Sequence, residues 1–293
     1  VMSAGEGTSS GNVRLITPSA STSGSVAIET GEAELADSGD LSLHTGDAMN
    51  LAGSVSVAAG SAAVKGGDVV VSAGQTTAGS EAGGSVITRA GKGSLGGNLI
   101  MVGGEGETAG GDISLLTGVG GAVSGSIEII TEAGLESGDV RVSTGHGEAG
   151  RSGSMRLSTG DGAEDAGSMI FSVGKTAGYM GGNVEVSAGD SAGEGGAVSI
   201  TGGAAALDVG GDIELTAGKS EQRTGCSVRV FSGLSDTSDS GVVSVGSGVA
   251  GSSGASGDLN LITGVSAAGA TGDINVAVGT ASGGAGGYLA LQA

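Results

Sequence analysis

The 293-residue sequence has almost no aromatic residues, one Pro and one Cys, and each shortage excludes a class of structure. Two Tyr, two Phe and no Trp leave no aromatic core. One Pro among 66 Gly excludes a collagen triple helix, which needs Gly at every third residue and abundant Pro. One Cys excludes a disulfide framework and a cysteine-based zinc site. No apolar run reaches the roughly 18–20 residues of a membrane span, so we expect no membrane insertion.

Basic residues are also scarce. The chain has 11 Lys and Arg against 31 Asp and Glu, which gives a net charge of −20. A phosphate backbone would be repelled, so we expect no nucleic-acid partner. The first residues, VMSAGEG, lack the layout of a signal peptide, and the initial Val indicates a processed chain or a fragment.

The sequence is rich in one eight-residue repeat, Gly-x-φ-x-φ-x-small-Gly, in which φ is apolar. We number its positions 1 to 8 and call each copy an arm. Twenty arms follow one another at a mean spacing of about 14.5 residues, and such self-similarity is typical of a solenoid or array. The arms open at Gly11, Gly24, Gly39, Gly53, Gly67, Gly84, Gly97, Gly111, Gly125, Gly138, Gly153, Gly167, Gly182, Gly196, Gly211, Cys226, Gly241, Gly257, Gly272 and Gly287.

Within each arm the apolar residues alternate. Position 3 is aliphatic in every arm, and position 5 is apolar in every arm but the one with Thr88. This period of two predicts a strand, with positions 1, 3, 5 and 7 facing inward. Position 8 is Gly in 17 of the 19 arms long enough to show it. That Gly predicts a left-handed backbone that turns the chain out of the strand.

These features together predict an all-β fold, a parallel β-solenoid of about 20 strand repeats. We expect two strands per coil of 28–31 residues, in two facing sheets, because position 2 is Asp or Asn in 7 of 10 odd arms but in 3 of 10 even arms. A triangular coil of three strands is the alternative. Residues 1–10 would form a lead-in segment, and residues 11–293 a single continuous array.

Residues that could carry chemistry are few. His44 and His146 lie too far apart in the array to act together, and Cys226 should be a small inward-facing thiol. The acidic stretch 29–40 could hold calcium, but the calcium-binding nonapeptide of β-solenoids does not recur. Thr recurs in eight arms at the inward position 7 and does not form a flat outward array, which disfavours an ice-binding surface. We therefore expect no enzyme activity, no cofactor and no metal site.

The strings GGDVVVSAG, GGDISLLTG, SGDVRVSTG and GGDIELTAG resemble the Gly-rich repeats of extracellular fibres, flagellar hairs and adhesins, such as the secreted surface proteins of microalgae and other protists. The resemblance covers essentially the whole chain. It implies an extracellular or cell-surface location and a fibrous or adhesive role.

The hypothesis that follows is a structural subunit of an extracellular filament. Neither end of the array carries a cap, so we expect head-to-tail association. Leu289 and Leu291 of one subunit would then pair with Val13 and Leu15 of the next. The alternative is the rigid stalk or binding shaft of a surface adhesin, with other surface proteins or glycans as partners. Ice-binding and calcium-binding solenoids are weaker alternatives.

Overall fold

The computed structural model of the chain describes residues 4, 10–77, 79 and 81–292, and these form neither an α-helix nor a β-strand. Contacts between Cα atoms divide the chain into two units, Val1–Val142 and Ser143–Ala293. The boundary between the units falls inside the arm that opens at Gly138. The single array over 11–293 stays a prediction. The lead-in over 1–10 lies, apart from residues 4 and 10, outside the described residues.

The prediction of an all-β parallel solenoid is wrong for the described residues. A coil of two strands needs each arm to pair with an arm 28–31 residues away, whereas the residues that approach one another here are mostly close in sequence. Closing a short loop costs less chain entropy than closing a long one, and Gly has the most backbone freedom to lose. Local loop closure therefore takes the place of pairing between coils.

The described residues have no core, since none of them is buried. The chain exposes 29720 Å² to solvent, against about 11,000 Å² for a compact monomer of its mass. Val140 and Ile213, which the alternation predicts as inward residues, are 56% and 53% exposed. The predicted inward face is therefore an open face.

The alternation remains visible as a gradient of exposure. Side chains at position 3 are 45–67% exposed in the twenty arms, and the apolar side chains at position 5 are 62–88% exposed. Apolar side chains in the loops, such as Leu35 and Val119, are fully exposed. Each arm thus keeps one side that its surroundings partly cover, centred on position 3.

The element that recurs in both units is a closed loop between consecutive arms. The N–H group at position 1 of one arm donates a hydrogen bond to the carbonyl oxygen at position 8 of the preceding arm, at 2.8–3.3 Å. We call this junction the neck. Necks closed by this bond join Gly67 to Gly60, Gly84 to Gly74, Gly97 to Gly91, Gly111 to Gly104, Gly125 to Gly118, Gly196 to Gly189, Gly211 to Gly203, Cys226 to Gly218 and Gly241 to Gly233. Loops of this length with adjacent ends are Ω-loops.

The residue at position 7 lies against the opening Gly of the next arm. A Cβ added to Gly67 would lie 3.2 Å from the Cβ of Ala59, and one added to Gly125 would lie 3.2 Å from the Cβ of Thr117. Where position 7 is itself Gly, as at Gly103, an added Cβ would overlap the carbonyl oxygen of Gly111. This close approach explains why positions 1 and 7 carry small residues.

The prediction of a left-handed Gly at position 8 is wrong, because no described Gly has a positive φ. A Cβ added at position 8 would also meet nothing within 4 Å in 16 of the 17 arms that have Gly there. Space is therefore tighter at position 1, where two backbone segments meet at the neck, than at position 8.

Candidate functional site

The candidate site is the uncharged side of the arms. Positions 1, 3, 5 and 7 carry no Asp, Glu, Lys or Arg in any of the twenty arms, and the charged residues lie at positions 2, 4, 6 and 8 or in the loops. We call the side chains at positions 3 and 5 the apolar face. The described part of this face is open to solvent. It can bind another apolar surface, but it offers no acid, base or nucleophile.

One concavity that includes part of this face lies in the first unit, between the arms that open at Gly111 and Gly125. It is a cleft of about 540 Å³ lined by Leu115, Leu116, Ile127, Glu128, Ile129 and the neck residues between the two arms. The neck bond from the Gly125 nitrogen to the Gly118 oxygen is 3.3 Å long and holds the two arms together. We call this concavity the 115–129 cleft.

One charged side chain, Glu128, lines the 115–129 cleft. Among the described residues, no cation lies within ion-pair distance of its carboxylate. Apolar walls with one free carboxylate can bind an apolar segment that carries a single cation.

A second, smaller concavity of about 280 Å³ lies in the loop that holds Glu105, Gly106 and Glu107. Two of its three lining residues are acidic. In the part of the chain that the structure describes, no group of three or more His, Cys, Asp or Glu residues could hold a metal ion.

The residues predicted to pair end to end are exposed. Val13 and Leu15 belong to the first unit and are 55% and 64% exposed, while Leu289 and Leu291 belong to the second and are 55% and 88% exposed. No sheet edge is formed at these positions within 10–77 or 81–292. Their pairing between subunits stays a prediction.

The prediction that Cys226 is inward and buried is wrong, because its thiol is exposed. Its backbone nitrogen still closes a neck, with a 3.2 Å hydrogen bond to the oxygen of Gly218. A side chain at position 1 is therefore compatible with the neck when it turns out to solvent. His44 and His146 lie in different units, and the Nδ1 atom of His44 is 3.3 Å from the Ser42 hydroxyl.

The loops of the second unit contain a recurrent hydrogen-bonded turn that was not predicted from the sequence. A hydroxyl two residues after the position-8 Gly accepts a hydrogen bond from a backbone N–H group two or three residues further on. Such hydroxyl turns join Thr176 to Gly178, Ser191 to Gly193, Ser220 to Arg223, Ser235 to Ser238 and Ser266 to Gly269, at 2.9–3.1 Å. The pattern Gly-x-Ser/Thr at the start of a loop is the signal for them.

Comparison with known proteins adds no relative. The chain matches no protein-family model, no curated protein and no solved structure. In the described residues, no helix is long and apolar enough to cross a membrane. The resemblance of the repeats to extracellular surface proteins therefore stays a prediction.

Proposed function

We propose that the chain is a structural subunit of an extracellular or cell-surface filament, in which copies of the chain cover one another's apolar faces. One observation carries this proposal: the position 3 side chains are at least 45% exposed in every one of the twenty arms. Exposed apolar patches beyond a few hundred Å² mark interaction surfaces in soluble proteins. Because the apolar face repeats along the whole chain, a second copy of the chain, which carries the same repeat, can cover it along its length.

The energetics favour many weak contacts over a single strong one. Burying one Val, Leu or Ile side chain fully contributes about 1.5–3 kcal/mol of free energy. Because these side chains are at least half exposed at positions 3 and 5, half or more of that free energy would come from contacts between chains. Ordering a Gly-rich backbone opposes the gain at each arm. Repeated arms on one chain raise the effective concentration of the next contact, so that weak pairings add up to stable association.

The charge distribution supports ordered association over precipitation. The net charge of −20 keeps chains apart in arbitrary orientations. The charged side chains avoid positions 1, 3, 5 and 7, so copies can meet along the apolar face without burying a carboxylate. The resemblance of strings such as GGDVVVSAG to surface-protein repeats supports the extracellular location.

Sedimentation velocity over a hundredfold range of concentration tests the proposal, with negative-stain electron microscopy of the same samples. We expect the sedimentation coefficient to rise with concentration and elongated assemblies to appear. The chain in 6 M urea, where apolar contacts are weakened, is the control. A monodisperse monomer at the highest concentration would overturn the proposal. The alternative function, an adhesin stalk, predicts isolated chains in the micrographs.

A further inference from the structure

We propose that the 115–129 cleft receives an arm of a second copy of this chain, the one that opens at Gly11 or at Cys226, whose Arg at position 4 pairs with Glu128. The inference rests on the proposed function, in which copies cover one another's apolar faces. It names the two segments of the chain that come into contact in that filament.

The cleft is shaped for an apolar segment. Leu115, Ile127 and Ile129 line it and are 63%, 54% and 69% exposed. An arm that lies beside the arm from Gly125 to Glu132, in register with it, would place its own residues at positions 3 and 5 next to Ile127 and Ile129. Apolar residues would then meet apolar residues on one side of the contact, and the two position 4 residues would meet on the other.

Charge complementarity identifies the occupant. Position 4 of the arms carries Glu in three copies and Arg in four. The Glu residues are Glu128, Glu185 and Glu214, and the Arg residues are Arg14, Arg141, Arg156 and Arg229. When two arms lie side by side in register, Arg at position 4 of one falls next to Glu at position 4 of the other. The chain thus carries both halves of the pair at one position of its repeat.

Two of the four Arg arms match the cleft at a further position. The arm in the cleft reads apolar–Glu–apolar–apolar over 127–130, and the segments 13–16 and 228–231 read apolar–Arg–apolar–apolar. Phe231, the last of these, is 83% exposed. In the arms of Arg141 and Arg156 the corresponding residue is Ser.

The existing ion pairs set Arg141 apart from the other three Arg residues. Arg141 is already engaged with Asp139, at 2.9 Å. Among the described residues, none of Arg14, Arg156 and Arg229 lies within ion-pair distance of a carboxylate. Arg14 and Arg229, which also match the cleft at position 6, are therefore free to meet Glu128 of another copy. The second copy carries the same net charge of −20, and its Arg arm supplies a local cation where the two copies meet.

Charge reversal tests the pairing in the full-length chain, with the dissociation constant measured by sedimentation equilibrium. We expect Glu128→Arg to weaken association about tenfold, because an attraction becomes a repulsion, and the Arg14→Glu/Arg229→Glu variant to weaken it by a similar factor. Combining all three substitutions restores the pairing, so association should return to within about threefold of the wild type.

Matched controls separate the pairing from the change in net charge. Glu136→Arg alters the net charge as Glu128→Arg does but lies in a loop, and Arg141→Glu/Arg156→Glu matches the double variant. Each control should change the dissociation constant less than about threefold. Far-UV circular dichroism checks that every variant keeps the wild-type backbone.

Three results would overturn the inference. If Glu128→Arg and Glu136→Arg change association equally, or if the triple variant fails to recover, the 115–129 cleft does not hold an Arg arm, while the proposed filament stands. If the wild type stays monomeric at every concentration, the proposed function itself fails, and the cleft pairing fails with it.

Discussion

The backbone nitrogen of Gly111 donates a hydrogen bond to the carbonyl oxygen of Gly104 at 2.8 Å, closing a loop of six intervening residues. A Cβ on Gly111 would lie 3.0 Å from the nitrogen of Gly104, and one on Gly103 would overlap the carbonyl oxygen of Gly111. The neck therefore depends on the absence of side chains at two of its glycines, whereas Gly104 has open space around it.

Two neighbouring substitutions test this account of the neck. Gly103→Ala should open it, because the new methyl group overlaps the Gly111 oxygen, and Gly104→Ala should leave it closed. A net hydrogen bond is worth about 0.5–1.5 kcal/mol, so amide hydrogen exchange at Gly111 should quicken about two- to tenfold in the first variant. Equal exchange rates in the two variants would contradict the assignment of the steric constraint.

The exposure of Cys226 predicts unhindered labelling of its thiol. Reaction with a disulfide reagent should proceed within about twofold of the same rate in buffer and in urea, since Cys226 is already exposed in the native chain. A Cys226→Ser/Ser227→Cys variant supplies a reference thiol one residue away. Native labelling more than about tenfold slower than in urea would indicate that the thiol is covered.

The apolar face predicts that a carboxylate at position 3 harms assembly but not the single chain. Val140→Asp should leave the circular dichroism of dilute protein unchanged, because Val140 is 56% exposed. It should weaken self-association about tenfold, since burying an unpaired carboxylate between chains is costly. Ser143→Asp adds the same charge at position 6 of the same arm and should have little effect. Equal losses of association would show that only net charge matters.

The net charge predicts how association responds to salt. Raising NaCl from 10 to 150 mM shortens the screening length from about 30 to about 8 Å, so repulsion between acidic chains should fall and association should strengthen about fivefold. Calcium chloride at equal ionic strength should act like NaCl. A much larger effect of calcium would contradict simple screening and favour specific binding by the acidic loops.

Much of the local organisation could be predicted from residue types and their spacing. Apolar residues at positions 3 and 5 alternate with polar and charged ones. This alternation predicts the register of the arms and the side of each arm that carries no charge. The necks bring together the position-8 residue of one arm and the opening residue of the next, which are the same residues that mark the repeat. The loop hydroxyls of Ser220 and Ser266 also had a readable signal, the hydroxyl two residues after a Gly.

The predicted long-range pairing failed for a physical reason. Alternation shows that an arm has an apolar side, but it does not show what covers that side. A facing sheet, a second copy and open solvent are all compatible with the same pattern of residues. The entropy lost on closing 28–31 residues of Gly-rich chain disfavours the facing sheet. The magnitude of that entropy loss does not follow from composition alone.

The sequence by itself determined the period of the repeat, the acidic charge and the side of each arm that stays uncharged, because these follow from residue identity and spacing. Only the tertiary structure decided that Gly111 and not Gly104 occupies the crowded place, that the thiol of Cys226 faces solvent, and that Leu115 and Ile127 line one cleft beside Glu128. These depend on which backbone segments approach one another. Loop closure across the neck brings these segments together. It depends on two residues several positions apart, so the identity of either residue alone does not predict it.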